Sequence, residues 1–138
     1  MSVAASKIAA IARSVGRARA EFIEAGNAFR QDFTRQDAAI LNVMRACESA
    51  VDLANILVRT RKLGVPKDMK GSFALLEGGK LITPELSMRL QRMVGFRNIA
   101  VHQYQDLDLD IVEAVIRDGL EDLLRFVEAV RPHLPETD

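Results

Sequence analysis

The sequence predicts an all-α fold, an antiparallel bundle of four long helices and one short one, and three observations carry that prediction. Apolar residues recur at three- and four-residue spacing over long stretches. No stretch shows a strand pattern. Glycine, proline and capping residues fall between the apolar stretches, where a bundle needs its turns. The 138 residues fit a single domain, 1–138. A domain of this size buries close to ~70% of the surface its unfolded chain exposes, enough to fold without cross-links.

In the first helix, Val3 to about Gly26, the residues Ile8, Ile11, Val15, Ala18, Phe22 and Ala25 make one apolar stripe opposite Arg13, Arg17, Arg19, Glu21 and Glu24. Gly26-Asn27 is the expected stop, since both residues tolerate a left-handed cap. Phe29 and Phe33 in the link that follows are expected to pin it to the core. Thr34 followed by Asp37 reads as a capping box with aspartate in the acid position, opening a second helix that runs to about Leu63. Ile40, Met44, Cys47, Val51, Ala54 and Val58 form its stripe, and Leu41, Val43, Leu53, Ile56 and Leu57 widen it. A helix apolar over so much of its circumference needs neighbours on several sides, as a central bundle helix or one shared with a second protomer.

Ser72 to Leu76 reads as the short helix, anchored by Phe73 and Leu76 and stopped at Gly78-Gly79. Thr83-Pro84-Glu85 combines a capping threonine, proline at the first helical position and a first-turn acid. The third long helix then continues through Leu86, Leu90, Met93, Val94 and Phe96. Asp108 or Asp110 caps the last long helix, which runs through Val112, Ile116, Leu123 and Val130 until Pro132 and Pro135 close it and leave a frayed tail.

Composition narrows the function classes. Cys47 is the one cysteine, so neither a disulfide framework nor a multi-cysteine metal site is available, and a reduced, cytoplasmic setting is expected. The opening residues carry Lys7 and Arg13 among their apolar positions, and the reading is neither a signal peptide nor a membrane span. The net charge of zero conceals an asymmetry. Residues 1 to 70 hold 12 Lys+Arg against 7 Asp+Glu, and residues 71 to 138 hold 7 against 12. A basic side fit for RNA phosphates and a mere charge match between packed helices are both open on this count.

The chemistry concentrates in Arg97-Asn98-Ile99-Ala100-Val101-His102-Gln103-Tyr104. Arginine supplies a permanent cation with a planar donor fork for phosphate oxygens, and histidine exchanges a proton near neutral pH. On a helix Asn98 and His102 share a face, as do Arg97 and Tyr104 a heptad apart. Arg97 and His102, five positions apart, point roughly 140° away from each other. Either the helix ends between them or two copies of the chain build the site. Glu48, Asp52 and Asn55 follow one another along the second helix, either facing solvent or, for Glu48 or Asp52, pairing with Arg97 to hold its guanidinium. His133 beside Pro132 reads as a cation suited to a helix C-terminus.

The segment from Gly95 to Tyr104 resembles the arginine, four residues, histidine, any residue, tyrosine signature of the HEPN superfamily. In particular it resembles HepT toxins encoded beside MNT-type nucleotidyltransferase antitoxins. The resemblance extends through Glu48–Asn55, Ser72–Leu76 and Thr83–Leu86, and the signature shows no departure. It implies a HEPN-like homodimer acting as the toxin of a type VII-like toxin–antitoxin pair. That protein is expected to be a metal-independent endoribonuclease, with no cofactor, that cleaves mRNA or tRNA in a dimer cleft. Arg97 would bind the scissile phosphate, His102 would act as general acid or base for 2′-hydroxyl attack, and Asn98 would orient the imidazole or bind a phosphate oxygen. Tyr104 would be the hydroxyl to which the partner nucleotidyltransferase transfers AMP. Two competing readings use the same residues: a non-catalytic helical module that binds a nucleotide or the antitoxin, and a purely structural bundle.

Overall fold

The structure, a computed structural model, describes residues 2–135. It is built from α1 (Val3–Ala25), α2 (Phe33–Thr60), α3 (Met69–Gly78), α4 (Pro84–His102), α5 (Leu109–Ala114) and α6 (Leu120–Val130). No strand occurs among the described residues. The expected frayed tail falls in part on residues 136–138, outside the described residues.

Local sequence chemistry sets most of the ends. The Ser2 hydroxyl accepts from the Ala5 N–H at 3.0 Å to start α1, and Gly26, at φ 55°, closes it by donating to the Phe22 carbonyl. Asp68 caps α3 through the Gly71 N–H at 2.7 Å. Thr83 caps α4 through the Leu86 N–H at 3.1 Å, with Pro84 in the first helical position. Asp108 opens α5.

The start of α2 departs from expectation. Its cap is Asp32, whose carboxylate accepts from the Arg35 N–H at 3.0 Å, so Thr34 already lies inside the helix and the Thr34–Asp37 capping box does not form. A short 3₁₀ turn at Gly26–Ala28 brings the chain round early enough for Asp32 to reach the free N–H groups first. The same early start divides the two phenylalanines. Phe29 is buried and packs edge-on against Phe22 at 4.9 Å, whereas Phe33, expected in the core, is exposed at the outer rim of the first turn.

The last long helix is present but not uniform. Val115–Gly119 form a π turn between α5 and α6. Gly119 is tightly hemmed in: a Cβ there would come within 2.6 Å of the Met93 sulfur on α4. One extra residue in the turn lets the two helices close on each other at that point.

The core lies where α2 meets the rest of the bundle. Ile11, Val15 and Ala18 of α1 and Ile40, Val43, Leu53 and Leu57 of α2 are buried in one cluster with Leu76, Leu90, Leu120 and Leu123. Phe73 and Phe126 meet edge-to-face at 5.3 Å and lock α3 to α6. Packing on so many sides leaves one long strip of α2 in solvent, and Arg97 and Tyr104 of the signature reach residues on it. No helix among the described residues is long and apolar enough to cross a membrane.

Candidate functional site

The signature occupies the last two turns of α4 and the turn that follows. The helix runs unbroken to His102, and the Gln103 N–H still donates to the Ile99 carbonyl at 2.7 Å. Of the two ways to bring Arg97 and His102 together, a helix end between them is therefore closed.

Arg97 points toward α2. Its Nε and Nη2 both donate to Glu48 Oε2, at 3.0 and 2.7 Å, and Nη1 donates to the Asn98 side-chain oxygen at 3.2 Å. The guanidinium is thus held along one edge, and N–H groups on its outer edge stay available to a further acceptor. Its side chain is 21% exposed, and that of Glu48 is 42% exposed. Between the two expected partners of Arg97 the structure selects Glu48. Asp52, one turn further along α2, turns instead to Lys7 of α1 at 2.9 Å. Asn55 accepts from the Ser72 hydroxyl at 2.6 Å and ties α2 to α3.

Tyr104 lies two residues past the end of α4, in a short 3₁₀ turn, Tyr104–Asp106. Its hydroxyl donates to Asp37 on α2. Burial, followed by this bond and the charge of Asp37, holds the phenol well above the usual tyrosine range, so it stays protonated near neutral pH. Arg97–Glu48 and Tyr104–Asp37 are two rungs of one antiparallel seam. Between them Leu41, Met44, Ala100 and Val101, with Asp37 and Tyr104, line a groove of ≈ 490 Å³. Leu41 at 44%, Val101 at 42% and Tyr104 at 40% are well exposed for apolar or aromatic side chains.

His102 is exposed on the far side of α4 from Glu48, and among the described residues it makes no hydrogen bond or ion pair. Asn98, half-buried one turn before it, spends its oxygen on Arg97 rather than on the imidazole. Cys47, next to Glu48, is buried, and burial pushes its thiol up to about 12. It is packing material, not a nucleophile. His133 lies at the opposite end of the bundle, where Arg61 reaches its carbonyl at 3.3 Å and its ring at 3.4 Å.

Asp37 is the site residue that sequence reasoning placed in another role. A signal was present: Asp37, Leu41, Met44 and Glu48 repeat at four, three and four, the spacing of one helix face, and match Arg97, Val101 and Tyr104 across the seam.

Comparison with known proteins adds the following. Residues 9–130 match the family model described as ribonuclease HepT-like. The chain is 46% identical over 126 residues to the mRNA nuclease HepT of Shewanella oneidensis, covering 91% of this chain and 94% of that one. Among solved structures it resembles the tri-AMPylated Shewanella oneidensis HEPN toxin in complex with its MNT antitoxin. The TM-score is 0.90 at 43% identity, over 96% of this chain and 98% of that one. A toxin–antitoxin crystal structure with AMP-PNP matches with a TM-score of 0.88 at 43% identity, covering 94% and 98%.

Proposed function

The chain is a ribonuclease of the HepT-like family, and from that premise we propose that it is the toxin of a toxin–antitoxin pair. In this reading it cleaves RNA with Arg97 and His102 and is silenced by AMP transfer to Tyr104. The observation that carries the proposal is the held guanidinium of Arg97, fixed by Glu48 along one edge and by Asn98 at Nη1, with N–H groups left over on its outer edge.

The chemistry follows from these groups. Arg97 takes the non-bridging oxygens of the scissile phosphate and stabilises the charge that builds up as the phosphorus becomes five-coordinate. His102 moves the proton, from the attacking 2′-hydroxyl or to the departing 5′-oxygen. The ribose hydroxyl is itself the nucleophile, so the reaction needs no metal and leaves a 2′,3′-cyclic phosphate and a 5′-hydroxyl. On one unbroken α4 the two side chains diverge by roughly 140°. A two-fold homodimer through the groove of exposed Leu41 and Val101 and half-buried Met44 brings the histidine of one copy toward the arginine of the other. A two-fold contact uses the same patch on both partners, which suits a single apolar strip.

Tyr104 lies on the same seam as Arg97, with its hydroxyl at the surface. AMP attached there puts an anionic phosphate beside Arg97, fills the substrate phosphate site and repels RNA. The AMPylated toxin relative supports this reading.

Two measurements test it. Purified protein in EDTA is expected to cleave RNA, and His102→Ala is expected to lose the activity while keeping its helical content and its dimer mass. Equal cleavage by both proteins, or by neither, refutes the assignment, and the second outcome favours a binding module. Co-expression with an MNT-type nucleotidyltransferase is expected to add AMP units to the intact mass, and Tyr104→Phe is expected to abolish them. A persistent mass shift moves the acceptor elsewhere.

A further inference from the structure

Beside the catalytic seam lies a second one, between α1 and α2. Its two ends are fastened by ion pairs, Lys7–Asp52 at 2.9 Å and Glu21–Arg35 at 2.8 Å. Between those rungs the middle of α1 runs alongside the middle of α2, and the charged side chains there that lack a partner among the described residues are all cations. Arg13 and Arg17 of α1 and Arg45 of α2 are exposed, and among the described residues none has a hydrogen bond or ion pair.

The carboxylates that would ordinarily neutralise them are already engaged. On the exposed strip of α2, Asp37 accepts from Tyr104, Glu48 holds Arg97 and Asp52 holds Lys7. Glu21, the i,i+4 neighbour of Arg17, is taken by Arg35. Arg45 lies one turn along α2 from Glu48, on the side toward Asp37, so it falls between the two rungs of the catalytic seam. Adjacent helices in a bundle lie ~8–10 Å apart. By the register of the Lys7–Asp52 and Glu21–Arg35 rungs, Arg13 lies about level with Arg45 and Arg17 one turn nearer Glu21, so Arg97, Arg45 and the pair Arg13 and Arg17 step across α4, α2 and α1 as a band of cations.

We propose that Arg45, Arg17 and Arg13 form a phosphate track that binds the single-stranded RNA backbone flanking the scissile bond, continuing outward from Arg97. The proposal rests on the ribonuclease reading and adds to it a binding surface outside the reacting groups. Flexible guanidinium groups spread over two helices suit backbone phosphates, which carry charge without sequence information. The track therefore contributes affinity and directs the strand, and it leaves base preference to the cleft.

The test measures binding apart from cutting. A fluorescein-labelled 2′-O-methyl RNA, which lacks the attacking hydroxyl, is titrated with the full chain at salt concentrations from 50 to 200 mM. Each lost phosphate contact on a single strand flattens the log–log salt slope by ~0.7. The triple variant Arg13→Gln, Arg17→Gln, Arg45→Gln is expected to flatten it by about 2, and the matching triple lysine variant to restore it. Arg92→Gln, at an exposed arginine on another flank of α4, is expected to leave the slope unchanged.

An unchanged slope in the glutamine triple, or equal flattening by Arg92→Gln, overturns the track. So does a glutamine triple that keeps the RNA slope but loses the dimer or the complex with a nucleotidyltransferase, because the three arginines would then serve a protein interface. Melting temperatures and far-ultraviolet circular dichroism of both triples separate these outcomes from misfolding, and the lysine triple is the folded comparator. Flattening by the glutamine triple, in a protein that fails to cut unmodified RNA, would leave the track standing and remove the nuclease reading.

Discussion

Two arginine–carboxylate clusters sit on α4, and they are built in opposite senses. At one end Arg97 is the more buried partner, 21% exposed, and Glu48 the more open one at 42%. At the other end Asp122 is the buried group, 9% exposed at its side chain, and Arg89 and Arg125 approach it from outside, at 44% and 46% exposed. The first arrangement holds a cation on the same seam as the groove and fixes its direction. The second neutralises an anion that packing has trapped between α4 and α6. Both clusters join arginine to carboxylate, but which partner is desolvated tells them apart.

The largest expected difference is in catalysis. Arg97→Ala should lower RNA cleavage by roughly 10²- to 10³-fold, the usual cost of losing one group that stabilises transition-state charge. Arg89→Ala should leave the rate within about twofold, since its guanidinium faces Glu85 and Asp122 rather than the groove. Single-turnover cleavage of one labelled RNA by both variants measures this. A comparable loss in Arg89→Ala would break the distinction.

A smaller effect sharpens it. Glu48→Gln keeps an acceptor near Arg97 but removes the charge that aligns it, and kcat should fall about tenfold, equivalent to ~1.4 kcal/mol of transition-state stabilisation. The melting point should hardly move, because ion pairs this open to solvent contribute ~0–1 kcal/mol. A large loss of stability with unchanged kcat would make Glu48 a structural residue after all.

The two clusters also differ in how much the sequence reveals. The signature is contiguous, so Arg97, His102 and Tyr104 can be read directly, and helix periodicity places Arg97 and Tyr104 on one face. That periodicity also makes Glu48 a plausible partner but cannot separate it from Asp52, because the two lie one turn apart on the same strip. The choice is settled by Lys7, forty-five residues earlier, which engages Asp52. The Asp122 cluster has no such trace, because it depends on how close α6 comes to α4, and that closeness depends on the π turn and on Gly119 against Met93. The bundle itself follows from apolar spacing. The cap at Asp32 and the outward Phe33 do not, because two capping residues stood within two positions and the preceding turn decided between them.

The smallest expected effect concerns pH. Burial raises the Asp122 carboxyl above the ordinary aspartate range, with Arg89 and Arg125 opposing the shift only in part. A carboxyl whose folded pKa exceeds its unfolded one holds its proton more tightly in the native state. Between those two values stability therefore falls as pH rises. The mildly acidic window just above the ordinary aspartate range is where the wild type should lose stability from this group, and Asp122→Asn, which has no proton to lose, should show a flatter profile there. Urea unfolding at closely spaced pH values resolves the difference. Parallel profiles for wild type and Asp122→Asn would mean that the two arginines fully compensate the burial of Asp122. The contrast between a held cation and a trapped anion would then hold for geometry alone.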